Sequence, residues 1–395
     1  MSSDPRVAFV HDALLFQGGA EKVLMAALEL YPDAPVYTLV YSPDPFEGTI
    51  IHRHKMRTSF IQRLPFALSQ HRSYLPLYPL AVERFDLSDY DLILSFSYAA
   101  AHGVRTRPDQ LHISYTFTPL RQAWQGNSDY LRFKGFLRAP FSWAARMLLH
   151  YYRMWDAGAA QRADRLIACS DWIAQCVWNA YERQSKVIHP PVDVDAILPL
   201  HPRQDYYLAV SRLEPHKRLD IIIDAFSRLG YPLLIVGSGS MYRQLKRRGS
   251  ANICLLNRVS DAELRQYYGH AKALVHAAVD DFGIAPVEAQ AAGCPVIAYA
   301  RGGVLETVIP NRTGILYSEQ NADALIDAVG RFEQSRSENG NSHLQAETIR
   351  QNALRFSKEC FLQELSSFIQ AEWSARQGRD QGKTSPGGVA RNAPG

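Results

Sequence analysis

Short apolar runs alternate with helix-length amphipathic stretches along most of this chain, and the alternation occurs twice. The first series has strand candidates at Val7–Val10, Val36–Val40, Leu92–Ser95, His112–Tyr115, Leu166–Ala168 and Val187–Ile188. The second has Tyr207–Val210, Pro232–Val236, Ile253–Leu255, Ala273–His276 and Pro295–Tyr299, with helical stretches at Leu219–Arg228, Ser240–Arg248, Asp261–Gly269 and Pro286–Ala292 between them. Strands that are each followed by a helix pair in parallel through right-handed crossovers. The expected fold class is α/β, with two Rossmann-like domains.

Length agrees with two domains. A single core rarely grows past roughly 250–300 residues, and this chain has 395. Pro190-Pro191 and the polar segment to Asp205 read as a linker. The expected division is an N-terminal domain over 1–195 and a second domain over 196–355. A closing helix over 356–374, packing back toward the N-terminal domain, and a disordered tail over 375–395 rich in Gly, Pro, Lys and Arg complete it.

Composition excludes several classes. Apolar residues make up 47% and charged residues 21%, with a net charge of +4, which suits an enzyme meeting anionic phosphates or a lipid surface. No basic run or stacking motif points to nucleic acid. Cys169, Cys176, Cys254, Cys294 and Cys360 are odd in number and scattered, against a disulfide framework or zinc site and in favour of a reducing compartment. The first residues do not read as a signal peptide, and no stretch approaches the roughly 20 apolar residues of a membrane span. The expected location is cytoplasmic.

Three turns carry the chemistry. Ser211–Arg218 follows the strand Tyr207–Val210, and Arg212 and Lys217 flank a turn made by Pro215, so both can reach one anion. Ligands of open α/β sheets bind at such strand C-terminal ends. Asp280–Glu288 follows Ala273–His276. Its Gly283 permits close backbone approach, its Pro286 suits a first helical turn, and the free N–H groups of Gly283, Ile284 and Ala285 can face an anion. Asp280 and Glu288 bracket that turn, and carboxylates accept from sugar hydroxyls. Gly18 and Gly19 form the first strand–helix turn of the other domain. Cations and backbone N–H groups aimed at a leaving diphosphate would allow sugar transfer without a metal. Asp89–Asp91 and Asp193–Asp195 are Asp-x-Asp triplets, but neither adjoins the phosphate elements, and both read as loop or cap residues. No Gly-x-Gly-x-x-Gly turn follows the first strand, against a dinucleotide-dependent dehydrogenase.

Taken together, His11-Asp12 with Gly18-Gly19-Ala20-Glu21, Ser211-Arg212-Leu213 with Lys217, Val236-Gly237-Ser238-Gly239 and Asp280–Glu288 resemble glycosyltransferase family 4. That family has the GT-B fold and retains anomeric configuration. The chain looks closest to its bacterial mannosyltransferase-like branch of O-antigen and exopolysaccharide synthesis. The resemblance implies two domains facing across a cleft and a nucleotide-sugar donor, with GDP-mannose favoured. It implies a lipid-linked or oligosaccharide acceptor and no metal or other cofactor. It assigns Asp280 to the donor sugar, Glu288 to the ribose, Arg212 and Lys217 to the diphosphate, and Arg258 and Val259 to the base-binding loop.

Two departures stand out. The paired acids of the family are glutamates with seven residues between them; here the first is Asp280, about 1.5 Å shorter in reach. The family's Tyr-x-His-Thr-Pro pattern reads Tyr115-Thr116-Phe117-Thr118-Pro119, and Phe117 can move no proton. His102 and His112 are nearby substitutes, against a purely structural use of both. A nucleotide-sugar epimerase and a non-catalytic nucleotide-sugar-binding homologue are the alternative functions.

Arg53–Tyr78 and Tyr130–Tyr152 mix arginine and lysine with large apolar residues. This pattern suits peripheral contact with the inner face of the plasma membrane or, equally, amphipathic helices packing on the sheet.

Overall fold

In the computed structural model, residues 4–124, 142–200, 202–337 and 344–383 are described. The first sheet has seven parallel strands in the order β3-β2-β1-β4-β5-β6-β7. These are β1 Val7–Leu14, β2 Val36–Tyr41, β3 Met56–Thr58, β4 Leu92–Ser97, β5 Leu111–Thr116, β6 Arg165–Ala168 and β7 Lys186–Val187. The second has six parallel strands in the order β10-β9-β8-β11-β12-β13. They are β8 Tyr207–Val210, β9 Leu233–Val236, β10 Ile253–Leu256, β11 Ala273–His276, β12 Val296–Tyr299 and β13 Gly314–Tyr317. β1 and β4 begin their series on either side of a reversal in strand order, as do β8 and β11. Such reversals open crevices at the strand C-terminal ends.

Both sheets are buried on both faces, which is why their strands are continuous apolar runs rather than alternating ones. On one side of the first sheet Val7, Phe9, Leu92, Leu94 and Ile113 pack beneath helix α1, Gly19–Leu28. On the other, Ala8, Val10 and Ile93 pack beneath Tyr78–Val82 and Tyr152 of helix α2, Ser142–Ala160. Helix α3 is Asp171–Tyr181, begun by a Ser170 side chain that accepts from the Ile173 amide at 3.1 Å. In the second domain, α4 is Leu219–Leu229, α5 is Asp261–His270, α6 is Ile284–Ala291 and α7 is Ala346–Leu354.

Several expectations are corrected. β1 continues past the expected Val7–Val10 through His11–Leu14. Arg53–Tyr78 is no continuous amphipathic helix; it holds edge strand β3 and short helical turns. Residues 130–141 of the second basic segment lie outside the described residues. The crossing into the second domain comes before residue 195, because Val192 and Val194 already belong to that domain's core. Helix α8 runs Lys358–Lys383, so residues 375–383 of the expected tail are helical, while 384–395 lie outside the described residues. Phe361, Leu365 and Ile369 of α8 are buried in the first domain's core. The two crossings touch, with the Val192 amide donating to the Phe356 carbonyl at 2.8 Å.

Candidate functional site

Three loops from the two strand-order reversals meet in the cleft between the sheets. After β8, Ser211–Arg218 is held by the turn after β9. The Leu213 amide donates to the Ser238 carbonyl at 2.9 Å, and the Ser240 hydroxyl donates to Glu214 at 2.8 Å. Gly237 allows this approach: with φ +155°, a Cβ there would lie 1.9 Å from the Ser211 carbonyl oxygen. The turn thereby fixes the segment that presents Arg212, which is exposed and forms no ion pair among the described residues.

Lys217 Nζ donates to Asp280 Oδ1 at 2.6 Å, joining the loops after β8 and β11. His276 Nε2 lies 3.3 Å from Asp280 Oδ2. Burial, the largest single influence, would raise the Asp280 carboxyl, yet Lys217 and His276 together hold it well below its usual range. Asp280 is therefore ionised throughout the working pH range. His216 is driven down to about 4 by burial and by Lys217, Arg121 and Arg212, so it is a neutral imidazole at pH 7.

Gly283 starts α6 in a left-handed conformation, φ +95°, that a side chain would resist. The amides of Ile284 and Ala285 in the first turn have no partner inside the helix. One turn on, Glu288 accepts from the Tyr268 hydroxyl at 2.9 Å, and Lys22 Nζ of α1 lies 3.8 Å from its other oxygen. Burial raises the Glu288 carboxyl, against the pull of Lys22. Val259 packs on the same core cluster as Ile284 and Leu264, and Arg258 beside it is exposed.

From the first domain, Gly19 abuts α6: a Cβ on it would sit 2.8 Å from Ile284 Cδ1. The Gly18 amide donates to Glu21 Oε2 at 3.0 Å. Burial raises Glu21 to about 7 despite its own backbone amide, that of Gly18 and the Arg212 charge across the cleft.

The structure thus brings Arg212, Lys217, Asp280, Gly19, Ile284 and Glu288 to one cleft. Among the described residues Arg258 forms no hydrogen bond or ion pair with them. His102 and His112 do not serve this cleft. His112 is fully buried against the Ser95 hydroxyl at 2.8 Å and falls to about 3 because of burial. His102 is buried between Ser97, 2.9 Å away, and Asp156, 3.2 Å away. Phe117 packs its ring 5.2 Å from that of Tyr115. Asp91 of the first Asp-x-Asp triplet binds the Arg6 guanidinium at 2.9 Å before β4, at the opposite end of the sheet from the cleft. Asp193 of the second lies 3.6 Å from Arg265. Among the described residues no three His, Cys, Asp or Glu side chains group as a metal site.

Several site residues escaped the sequence reading. Arg121 pairs with Asp281 across the cleft, and the Ser170 hydroxyl donates to the Asp281 carbonyl at 2.5 Å. Glu306 accepts from the amides of Asp171 and Trp172 at 2.9 and 3.1 Å, so a second-domain carboxylate caps a first-domain helix. His189 Nε2 is 3.0 Å from the same carboxylate. Ser170-Asp171 carried a readable helix-start signal. The partners across the cleft, more than 100 residues away in sequence, carried none.

The fold is GT-B. Over 93% of this chain and 99% of the other, it aligns with sucrose-phosphate synthase from Thermosynechococcus elongatus at TM-score 0.73 and 17% identity. With Anabaena Alr3699/HepE in complex with UDP the TM-score is 0.68 at 18% identity, over 93% and 100% of the chains. Residues 194–353, which make up most of the second domain, match the family Glycosyl transferases group 1. The D-inositol 3-phosphate glycosyltransferase of Mycobacteroides abscessus is 31% identical over 196 residues, 43% of this chain and 44% of that protein. An uncharacterized glycosyltransferase of Methanocaldococcus jannaschii, MJ1178, is 28% identical over 178 residues, 43% of this chain and 50% of that protein. The chain thus spans about half or less of the length of these relatives.

Proposed function

We propose that the chain is a retaining hexosyltransferase that moves a sugar, with mannose from GDP-mannose favoured, onto a lipid-linked or oligosaccharide acceptor of cell-surface polysaccharide. The observation that carries this reading is the meeting of Lys217, Asp280 and the start of α6 against Gly19, where both sheets turn their C-terminal ends to one cleft. The likeness to Alr3699/HepE, solved in complex with UDP, supports a nucleotide ligand.

In this reading Arg212, Lys217 and the amides of Gly283, Ile284 and Ala285 receive the charge that develops on the diphosphate as the sugar–phosphate bond breaks. Asp280, held ionised, orients a donor-sugar hydroxyl. The departing phosphate oxygen takes the acceptor hydroxyl's proton on the face where the new bond forms, so no protein base is needed where Phe117 stands. Glu288 holds the ribose, Arg258 and Val259 border the base, and no metal takes part. In this reading the neutral His216, and His276 at 3.3 Å from Asp280, would stand beside the donor sugar.

A panel of nucleotide-sugars titrated into the purified protein, followed by slow donor hydrolysis without acceptor, tests this. Release of free hexose from one donor, unaffected by chelator, is expected. Binding without release from any donor identifies a non-catalytic binder, and an epimerised nucleotide-sugar identifies an epimerase; either ends the transfer reading.

A further inference from the structure

Large apolar side chains left in water cluster on one face of the first domain. Among the described residues eleven are exposed, and seven of these come from the two segments that cover the same side of the first sheet. On α2, Trp143, Met147, Tyr151 and Met154 recur at intervals of four, four and three residues and so form one stripe. They are 69%, 62%, 51% and 58% exposed. The buried edge of the same helix, with Tyr152 and Asp156, faces the sheet, so the stripe points outward. Phe66, Leu68 and Leu80 stand exposed on the neighbouring cover, whose Ala67, Tyr78 and Ala81 pack into the core shared with Tyr152.

The charge beside this surface is net positive, because Glu83, near Leu80, is taken up in ion pairs with Arg105 and Arg162. Arg146, His150 and Arg153 lie along one edge of the stripe, and exposed Arg63 and Arg72 flank Phe66 and Leu80 in sequence. Neither 60–80 nor 142–155 contains a carboxylate, and Asp156 is fully buried. Phe66 adds a separate observation. It is 73% exposed and left-handed, φ 55°, a conformation that a bulky residue holds at a cost. Among the described residues the ring joins no core cluster and no ring pair to offset that cost, which is the mark of a side chain kept for an outside contact.

We infer that this face of the first domain docks on an anionic lipid bilayer, with α2 lying in the interface and Phe66 entering beside it. An apolar stripe edged by arginines suits the boundary between acyl chains and acidic headgroups. No described helix is long and apolar enough to cross a membrane, so the chain lies on the bilayer here rather than spanning it. A second copy of the chain is the poorer occupant, because pairing two such faces would set arginines against arginines. The inference rests on exposure and charge, not on the transfer chemistry, though it would bring the cleft to a lipid-linked acceptor.

The test is co-sedimentation of the full chain with vesicles of phosphatidylcholine alone or with added phosphatidylglycerol. Binding to the mixed vesicles is expected, weakened several-fold at about 1 M salt, where charges are screened within about 3 Å. The pair Met147→Glu and Met154→Glu should lower partitioning about 100-fold, from the loss of two inserted side chains. Phe66→Gly should lower it about tenfold while leaving thermal stability equal or higher, since glycine is at ease at that φ. Donor hydrolysis should be unchanged in these variants, so a failure here is distinct from a failure of the transferase reading. The inference is overturned if the native chain ignores phosphatidylglycerol vesicles, or if Phe66→Gly binds them as the native chain does. A concentration-dependent dimer lost in the methionine pair would assign the face to a second copy instead.

Discussion

Glu21 offers the most quantitative prediction. Its carboxyl is 2% exposed, sits in the first turn of α1 and accepts from the Gly18 amide at 3.0 Å. Burial raises it from 4.5 to about 7 in the folded chain. Below pH 4 the group is protonated in both states and has no effect. As pH rises, the unfolded chain ionises first while the folded one keeps its proton, so stability falls, and the loss levels off above about 7. At about 1.4 kcal/mol per pH unit the full loss is about 3 kcal/mol. Glutamine keeps an acceptor for the Gly18 amide and removes the charge. Glu21→Gln should therefore stabilise by about 3 kcal/mol at pH 8 and by about 1 kcal/mol at pH 5. For a domain of this size that is an upper bound of roughly 6–12 °C in the first unfolding midpoint at pH 8. Scanning calorimetry of both proteins at the two pH values decides it. An equal shift at both, or a lower midpoint for the variant at pH 8, refutes the burial argument.

Other expectations follow from single contacts. Arg212→Ala and Lys217→Ala should each cost about 10²–10³ in donor turnover, the scale for losing one charge-stabilising group, and near-native rates in both would remove the phosphate role. Gly237→Ala, whose Cβ would meet the Ser211 carbonyl at 1.9 Å, should displace the Arg212 loop and weaken nucleotide binding in calorimetric titration; unchanged affinity would sever the link between the two turns. Glu306→Ala removes the cross-domain cap on α3, worth about 1 kcal/mol by analogy with other helix caps, so donor affinity should fall about fivefold and small-angle scattering should show a larger radius. An unaltered radius and affinity would mean that the cap does not hold the cleft closed.

The alternation of apolar runs gave away both sheets, because a strand buried on both faces cannot hide its composition. Two strands were missed for physical reasons. β3 is three residues at a sheet edge, partly in water, and so lacks an apolar run. β13 is four residues that follow a loop through Asn311 in a left-handed turn, and its Gly314 is there because a Cβ would strike the Val296 carbonyl. Basic and apolar residues mixed over Arg53–Tyr78 resembled a helix but serve short turns. Within the site, loops following strands were legible: Lys217 and Asp280 each stand after a strand, and the Lys217–Asp280 contact bridges neighbouring strands. Contacts across the cleft were not. Arg121 with Asp281, and Glu306 with the start of α3, depend on how the two domains close, and local sequence does not encode that.

The central claim is that an anionic nucleotide is gripped where Lys217, Arg212 and the start of α6 converge. A crystal structure of the chain soaked with its preferred nucleotide-sugar tests it most directly. The diphosphate oxygens should lie within about 3 Å of Lys217 Nζ, the Arg212 guanidinium and the Gly283–Ala285 amides. A nucleotide found instead in the groove at the far end of the second sheet, between Tyr206, Leu234 and His270, would contradict it.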